Sequence, residues 1–283
     1  MSKIKDVIKQ IQQNEIVIKL KKAKKLSPDA SKFGGMPYLP SDFVWPRYEG
    51  ADYDENIANR PLSFLGQFNL AEIKKFDSDH LLPETGLLCF FYEMETGCWG
   101  FDPKDAGCSR VYYFENTDGF VTIDFPDDLS DDYKIKEYAL SFKQKKSLPG
   151  YEEIEYHIPE EADIEFEELE EYLEDHLPEE DFERHKLLGY ADVIQSEMLT
   201  ECERTIRGLY CGDAESYQNT AEDDSADIEL AARNWTLLFQ MASIMEDDYE
   251  LLWGDCGNLY FYIQKQDLKE KNFDKVWLIL QCG

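Results

Sequence analysis

The sequence predicts an α+β fold: a two-fold internal repeat of mostly antiparallel sheets with short helices, joined by an acidic helical connector. Three observations predict it. Four short apolar blocks occur twice in the same order. An intervening stretch combines a helical apolar stripe with a run of carboxylates. The chain is also 43% hydrophobic and 14% aromatic over 283 residues, enough to bury a core and to rule out wholesale disorder. One compact domain over 1–283 is expected, with a first half at about 31–114, the connector at about 150–184 and a second half at about 185–280.

The repeat rests on block order and spacing. Lys32-Phe-Gly-Gly35 stands beside Lys186-Leu-Leu-Gly189, and Phe64-Leu-Gly-Gln67 beside Leu237-Leu-Phe-Gln240. Gly86 to Tyr92 matches Gly257 to Ile263, and Arg110 to Phe114 matches Lys275 to Ile279. The second copy is longer between its first two blocks, where a helix over Asp192–Tyr210, ended by Gly212, and a polar loop over 213–227 are predicted.

The remaining elements follow from period and punctuation. Ile4, Val7, Ile8 and Ile11 sit at helical spacing behind Ser2, a capping residue type. Ile16, Ile18 and Leu20 alternate as in a strand. Lys19 to Lys25 reads as a solvated edge that discourages sheet pairing, or as a site for an anion or for the chain's own acidic segment. Gly34-Gly35 lacks both the Gly-Lys-Ser/Thr ending of a phosphate loop and the third glycine of a dinucleotide fingerprint, so a turn is predicted. A short helix is expected near Leu70–Phe76. In the connector, Phe166, Leu169, Leu173 and Leu177 share one helical face and Pro178 ends it.

Charge restricts the partners. Sixty acidic residues against 29 basic ones give a net charge of −31, which argues against nucleic acid and against an anionic membrane surface. Residues 1–26 run the other way, with eight lysines and two acids, whereas 151–184 hold seventeen acids and one arginine. No apolar signal region follows the N-terminus, and the longest apolar run, Leu87 to Tyr92, is too short to span a bilayer. Seven scattered cysteines suit a reducing, cytoplasmic setting. No CxxC occurs, and none of the four histidines pairs with a cysteine or another histidine at ligand spacing, so neither metal nor cofactor is expected. Cys89 and Cys202 read as inert core thiols.

These blocks resemble the YwqG-like family of bacterial proteins, a domain of unknown function. The resemblance is carried by Lys32-Phe-Gly-Gly-Met-Pro-Tyr-Leu-Pro40, Pro61 to Leu70, Leu82 to Phe91, His185 to Gln195, Trp253 to Phe261 and Phe273 to Cys282. It covers nearly everything from about residue 31. Ala191 departs from the proline expected after Gly-Tyr. The resemblance supplies no catalytic residue, and it implies a protective, immunity-type role through members that resemble neighbours of secreted-toxin genes.

Few constellations bear chemistry. Asp255, in Trp253-Gly-Asp255-Cys-Gly257, and Glu84, before Gly86, each precede a glycine turn. Two such carboxylates near a shared axis would share a proton or hold a cation, whereas the plainer reading is turn chemistry. Gln67 and Gln240 lie in apolar strands, where a buried amide requires partners, so a polar network at the junction of the halves or a ligand contact is expected. Asp102 and Asp105 lack calcium-loop spacing, and no Gly-x-Ser-x-Gly elbow occurs. No catalytic residue is assigned. Gln67, Glu84, Gln240, Trp253 and Asp255 are the candidate binding residues. Glu167, Glu168, Glu171 and Glu174 are the candidate surface for a basic protein. The expected function is an acidic binding protein that neutralises such a partner; the alternative is a small-molecule binder or enzyme with a cleft between the halves.

Overall fold

A computed structural model describes residues 2–22, 25–51, 55–159, 162, 164, 169, 171–173 and 184–283. Helix α1 (Ser2–Ile11) leads into β1 (Gln13–Lys22), followed by β2 (Lys32–Phe33), β3 (Tyr38–Pro40), β4 (Arg47–Ala51), β5 (Ile57–Pro61) and β6 (Ser63–Asn69). Next come α2 (Leu70–Ile73), β7 (Leu87–Tyr92), β8 (Ser109–Phe114), β9 (Phe120–Thr122), β10 (Tyr138–Ser147) and α3 (Ile154–His157). The rest is β11 (His185–Leu187), α4 (Leu199–Ile206), α5 (Ala214–Gln218), α6 (Glu222–Ala232), β12 (Trp235–Ala242), β13 (Ile244–Glu246), β14 (Tyr249–Leu251), β15 (Asn258–Gln264), α7 (Lys265–Glu270) and β16 (Trp277–Gln281). The fold is α+β, as predicted.

One ten-stranded sheet dominates, in the order β16-β15-β12-β11-β1-β10-β2-β6-β7-β8. Every neighbouring pair is antiparallel. The blocks aligned in the sequence occupy β2, β6, β7 and β8 on one side of the central β1–β10 pair and β11, β12, β15 and β16 on the other. Their registers correspond: Lys32 faces Gln67, Lys186 faces Gln240, and a bulge interrupts pairing at Phe64/Gly66 and at Leu237/Phe239. Lys19–Lys22 belongs to the long central pairing, down to Lys22 opposite Tyr138, so it is no edge on that side; towards β11 the pairing stops at Ile18.

The near-continuous apolar strands are explained by burial on both faces. Along β7, Leu88, Phe90 and Tyr92 point to an inner core while Leu87, Cys89 and Phe91 point to an outer one. Along β15, Leu259, Phe261 and Ile263 point inward while Tyr260 and Tyr262 point outward. The sheet curls so that the inner faces of its two ends share one core. Phe90 lies 4.7 Å from Phe239 and 5.1 Å from Phe261 between ring centroids, and Phe33 lies 5.8 Å from Phe239. These rings fill the space between the two ends of the sheet.

The connection after β7 guards the opposite sheet edge. Trp99 O accepts from Leu280 N at 2.9 Å, and Gly100 O accepts from Trp277 Nε1 at 2.9 Å. A Cβ on Gly100 would lie 1.9 Å from Leu278 O, so this approach requires glycine. The connection after β15 reaches β8 in turn, with Phe273 against Tyr113 and Lys271 3.5 Å from Glu115.

The outer faces are clad differently. On the β6–β8 side the cover is Phe43, Trp45, Phe120 and Phe125, from loops and β9. On the β12–β16 side it is Met198, Leu199, Cys202 and Ala232, from a helical module. That module departs from expectation. Helix α4 starts at Leu199, not Asp192, because sheet glutamines capture the preceding N–H groups: Gln240 Oε1 takes Asp192 N, and Gln281 Oε1 takes Ile194 N and Gln195 N. It ends before Gly208, at φ +82°, rather than at Gly212. The segment expected as a loop over 213–227 carries α5, capped by Asp213 accepting from Ser216 N at 2.8 Å, and most of α6, anchored by buried Ile228.

Of the acidic stretch, Leu169 and Leu173 are buried with Ile4, Val7, Ile8 and Ile11 of α1, and Glu171 is exposed. Phe166, Leu177, Pro178, Glu167, Glu168 and Glu174 lie outside the described residues. No described helix is long and apolar enough to cross a membrane.

Candidate functional site

Gln67 and Gln240 hold matching positions. Each follows a strand bulge and faces the lysine that precedes a turn with positive φ: Gly34-Gly35 in one place, Leu188-Gly189 in the other. Gln67 Oε1 accepts from Tyr38 N at 3.0 Å, and its Nε2 donates to Pro28 O and Ala30 O. Gln240 Oε1 accepts from Asp192 N at 2.9 Å, and its Nε2 donates to Arg184 O and Asp192 Oδ2. Both amides are spent on the chain's own backbone and neighbours, bracing the segment after the turn. Each stands within its own end of the sheet, not in a shared network.

The lysines opposite them are buried and paired. Lys32 Nζ donates to Glu137 at 2.9 Å and to Met36 O at 2.7 Å. Lys186 Nζ lies 2.9 Å from Asp192 and 3.6 Å from Glu15, and Arg184 contacts both of those acids. The turn glycines press on the same carboxylates. A Cβ on Gly35 would meet Glu137 Oε2 at 2.5 Å, and one on Gly189 would meet Glu15 Cβ at 2.7 Å. The second bracket holds two cations and two anions almost out of water, so its charges rely on one another.

Glu84 is exposed and paired with Lys74 at 2.5 Å. Asp255 is exposed in the turn closed by Gly257 N to Trp253 O at 2.7 Å. No hydrogen bond or ion pair joins these two carboxylates among the described residues. Trp253 is buried, edge-on to Tyr92 at 5.9 Å. Near Glu84 lies an open groove of about 540 Å3 lined by Asp29, Asn69, Thr85, Glu115, Asn116 and Thr117. Two of its polar residues are paired within the chain: Asn69 donates to Asp29 O, and Glu115 meets Lys271 beside the groove.

The buried titratable groups that the sequence reading missed lie beneath the helical module. The α3 turn brings Glu153 and His157, four residues apart, to 4.0 Å. Glu153 Oε1 accepts from Tyr262 OH at 2.8 Å, and the His157 ring lies 4.6 Å from Tyr190. A small cavity opens between them, lined also by Ala191, Leu199, Trp235 and Leu237. The spacing would suit an ion pair, but burial works against the charged form of both groups. Burial pushes Glu153 up to about 8 and His157 down to about 3. Glu201 is likewise pushed to about 8 by burial and by Glu197. The i, i+4 spacing of Glu153 and His157 was the one available signal. Among the described residues no group of three or more His, Cys, Asp or Glu is arranged to hold a metal ion.

The helical module carries an exposed acidic surface. Exposed Glu222, Asp224, Asp227 and Glu229 lie on α6, and large apolar side chains are exposed on the same module, with Ile206, Tyr210 and Tyr217 before α6 and Leu230 on it. The match of the chain to known families fits this geometry from β2 onward. The family model described as "Domain of unknown function (DUF1963)" matches residues 31–282. The chain belongs to the DUF1963 family. The match spans β2 through β16 and leaves α1 and β1 outside it, although β1 is central to the DUF1963 sheet here. No curated protein matches the chain.

Proposed function

We propose that this DUF1963 protein is a non-catalytic binding protein of the bacterial cytoplasm, of the YwqG-like type, whose carboxylate surface meets a basic protein and neutralises it in the manner of an immunity protein. The observation that carries the reading is charge with anchors: −31 overall, and α6 carboxylates on a module that exposes Tyr210, Tyr217, Ile206 and Leu230. Aromatic anchors within a charged rim suit protein recognition, and complementary charge speeds encounter. Nucleic acid and anionic membranes are not partners on this reading, because the same charge repels them. Glu167, Glu168, Glu171 and Glu174 are proposed, from the sequence, as further carboxylates for the same partner.

The chain is further proposed to be a two-fold repeat joined by the acidic connector. Support comes from the mirrored strand order, the paired bulges, and the Lys32–Glu137–Gln67 and Lys186–Glu15–Gln240 brackets. The rival reading, a small-molecule binder or enzyme with a cleft between the halves, needs space that the Phe33, Phe90, Phe239 and Phe261 rings occupy.

The test is affinity capture from the native host at low and at high salt, with the α6 variant E222Q/D224N/D227N/E229Q as comparison. The expected result is a basic protein retained by the wild type, lost at high salt and retained less by the variant. Equal retention by both proteins at both salts would remove the reading.

A further inference from the structure

The α3 turn lines a buried cavity that neither the proposed partner surface nor the two brackets use. The turn is fixed by its own backbone: Tyr156 N donates to Glu153 O at 3.1 Å and Ile158 N to Ile154 O at 3.2 Å. It brings Glu153 and His157 to the same cavity. Both are almost out of water, with side chains 2% and 7% exposed. Glu153 Oε2 and His157 Nε2 stand 4.0 Å apart, beyond hydrogen-bond range. Among the described residues His157 Nε2 has no hydrogen-bond partner. A buried nitrogen left in that condition costs stability unless something supplies the bond.

The cavity supplies the space. It gives the centre of a water-sized molecule about 10 Å3 of freedom, room for one water and for no larger ligand. Other polar tips around it are already spent. Tyr262 OH donates to Glu153 Oε1 at 2.8 Å, Trp235 Nε1 donates to Glu203 at 2.9 Å, and the Tyr190 hydroxyl donates to Ile11 O.

We propose that this cavity is a binding site for a single ordered water, which bridges Glu153 Oε2 and His157 Nε2 and so pins the α3 turn to β15 through Tyr262. The site is independent of the binding function. Its geometry closes. A water about 2.7 Å from each atom sees them about 95° apart, not far from the tetrahedral spread of its bonding directions. Two partners lie within the usual number for a buried water. A direct ion pair would instead need the two atoms to approach by about 1 Å, into the space the cavity occupies.

The direction of each bond follows from the surroundings. Glu153 Oε1 already accepts from Tyr262, and burial favours the protonated carboxyl. The proton then sits on Oε2 and is donated to the water. Burial, with the charges of Lys265 and Arg233, favours the neutral imidazole of His157. Nε2 is then an acceptor, and the water donates to it. The chain from Tyr262 through Glu153 and the water to His157 runs donor to acceptor throughout.

A crystal structure of the full-length wild type, at a resolution that shows ordered water, is the test. The expected map has one water peak within hydrogen-bond range of both Glu153 Oε2 and His157 Nε2. E153Q should keep the peak, because its amide can accept from Tyr262 and donate to the water. H157F removes the acceptor and should lose it. Thermal melting adds an independent sign. With the water in place, H157F takes away one of its partners and Tm falls; without the water, H157F removes an unpartnered buried nitrogen and Tm rises. If H157F does not fold, the wild-type and E153Q maps still decide. A wild-type map with no peak in the cavity, or with Oε2 and Nε2 in direct contact, would overturn the proposal. So would a higher Tm for H157F.

Discussion

The two ends of the sheet use the same internal device and clothe it differently. Near β2 a lysine, a glutamine and the glutamate just before β10 make a bracket whose acid, Glu137, still reaches water; its side chain is 38% exposed. Near β11 the equivalent acid, Glu15, is 2% exposed, and Arg184 and Asp192 join it. Outside the first bracket lie aromatic loops; outside the second lies a helical module that buries Glu197 and Glu201 of its own and covers Glu153 of α3. A strand framework is thus set by local rules of turn and register, while the polar content of a region depends on what is laid over it.

The largest expected effect tests that difference directly. K186M leaves Arg184 as the one cation described beside Glu15 and Asp192, in a site nearly closed to water. Removing one partner of a buried pair costs about 3–5 kcal/mol. K32M leaves Glu137, which can turn to solvent, so its loss should be clearly smaller. Urea unfolding of the two variants side by side gives the comparison. Equal losses would mean that the brackets are energetically alike despite their different burial.

Q67L and Q240L come next. Each leaves buried N–H and C=O groups without partners, at about 1–3 kcal/mol per orphaned group. Q240L should cost more, because it also frees Asp192, which pairs with Lys186.

A pH series sharpens the contrast further. The raised Glu153 contributes stability that is fully present below the ordinary carboxylate range and is lost as pH rises through about 8. The depressed His157 acts in the other direction: its contribution is present above the ordinary imidazole range and is lost as pH falls through about 3. E153Q should therefore flatten the decline in stability between about pH 4.5 and 8 and keep the hydrogen bond from Tyr262. An unchanged slope in thermal melts across that window would show that Glu153 is charged in the folded protein.

Much of the framework was legible in the sequence because it follows short-range signals. Gly34-Gly35, the apolar run Leu87 to Tyr92 and the order of the four blocks mark turns, strands and their sequence. The helical module was less legible. The spacing of Val193, Ile194 and Met198 resembles a helix, but Gln240 and Gln281, far along the chain, take the N–H groups a helix would use. Asp213 looks like a loop residue until Ser216 N is seen to cap on it. The same limit applied to the site. Gln67 and Gln240 were recognised as amides that needed partners, and they have them. Glu153 and Tyr262 meet only through strand placement and burial that no local pattern encodes.

The smallest effect on the folded protein, and the most telling for function, concerns the carboxylate surface. Changing Glu167, Glu168, Glu171 and Glu174 together to Gln should leave stability unchanged or slightly raised, since like charges are relieved. With the captured basic partner, the deciding measurement is association rate against ionic strength, wild type beside this variant. The expected result is a wild-type rate that falls steeply with salt, a variant slower at low salt, and convergence of the two at high salt with little change in dissociation. Equal association rates at low salt would contradict an acidic surface that recognises a basic protein.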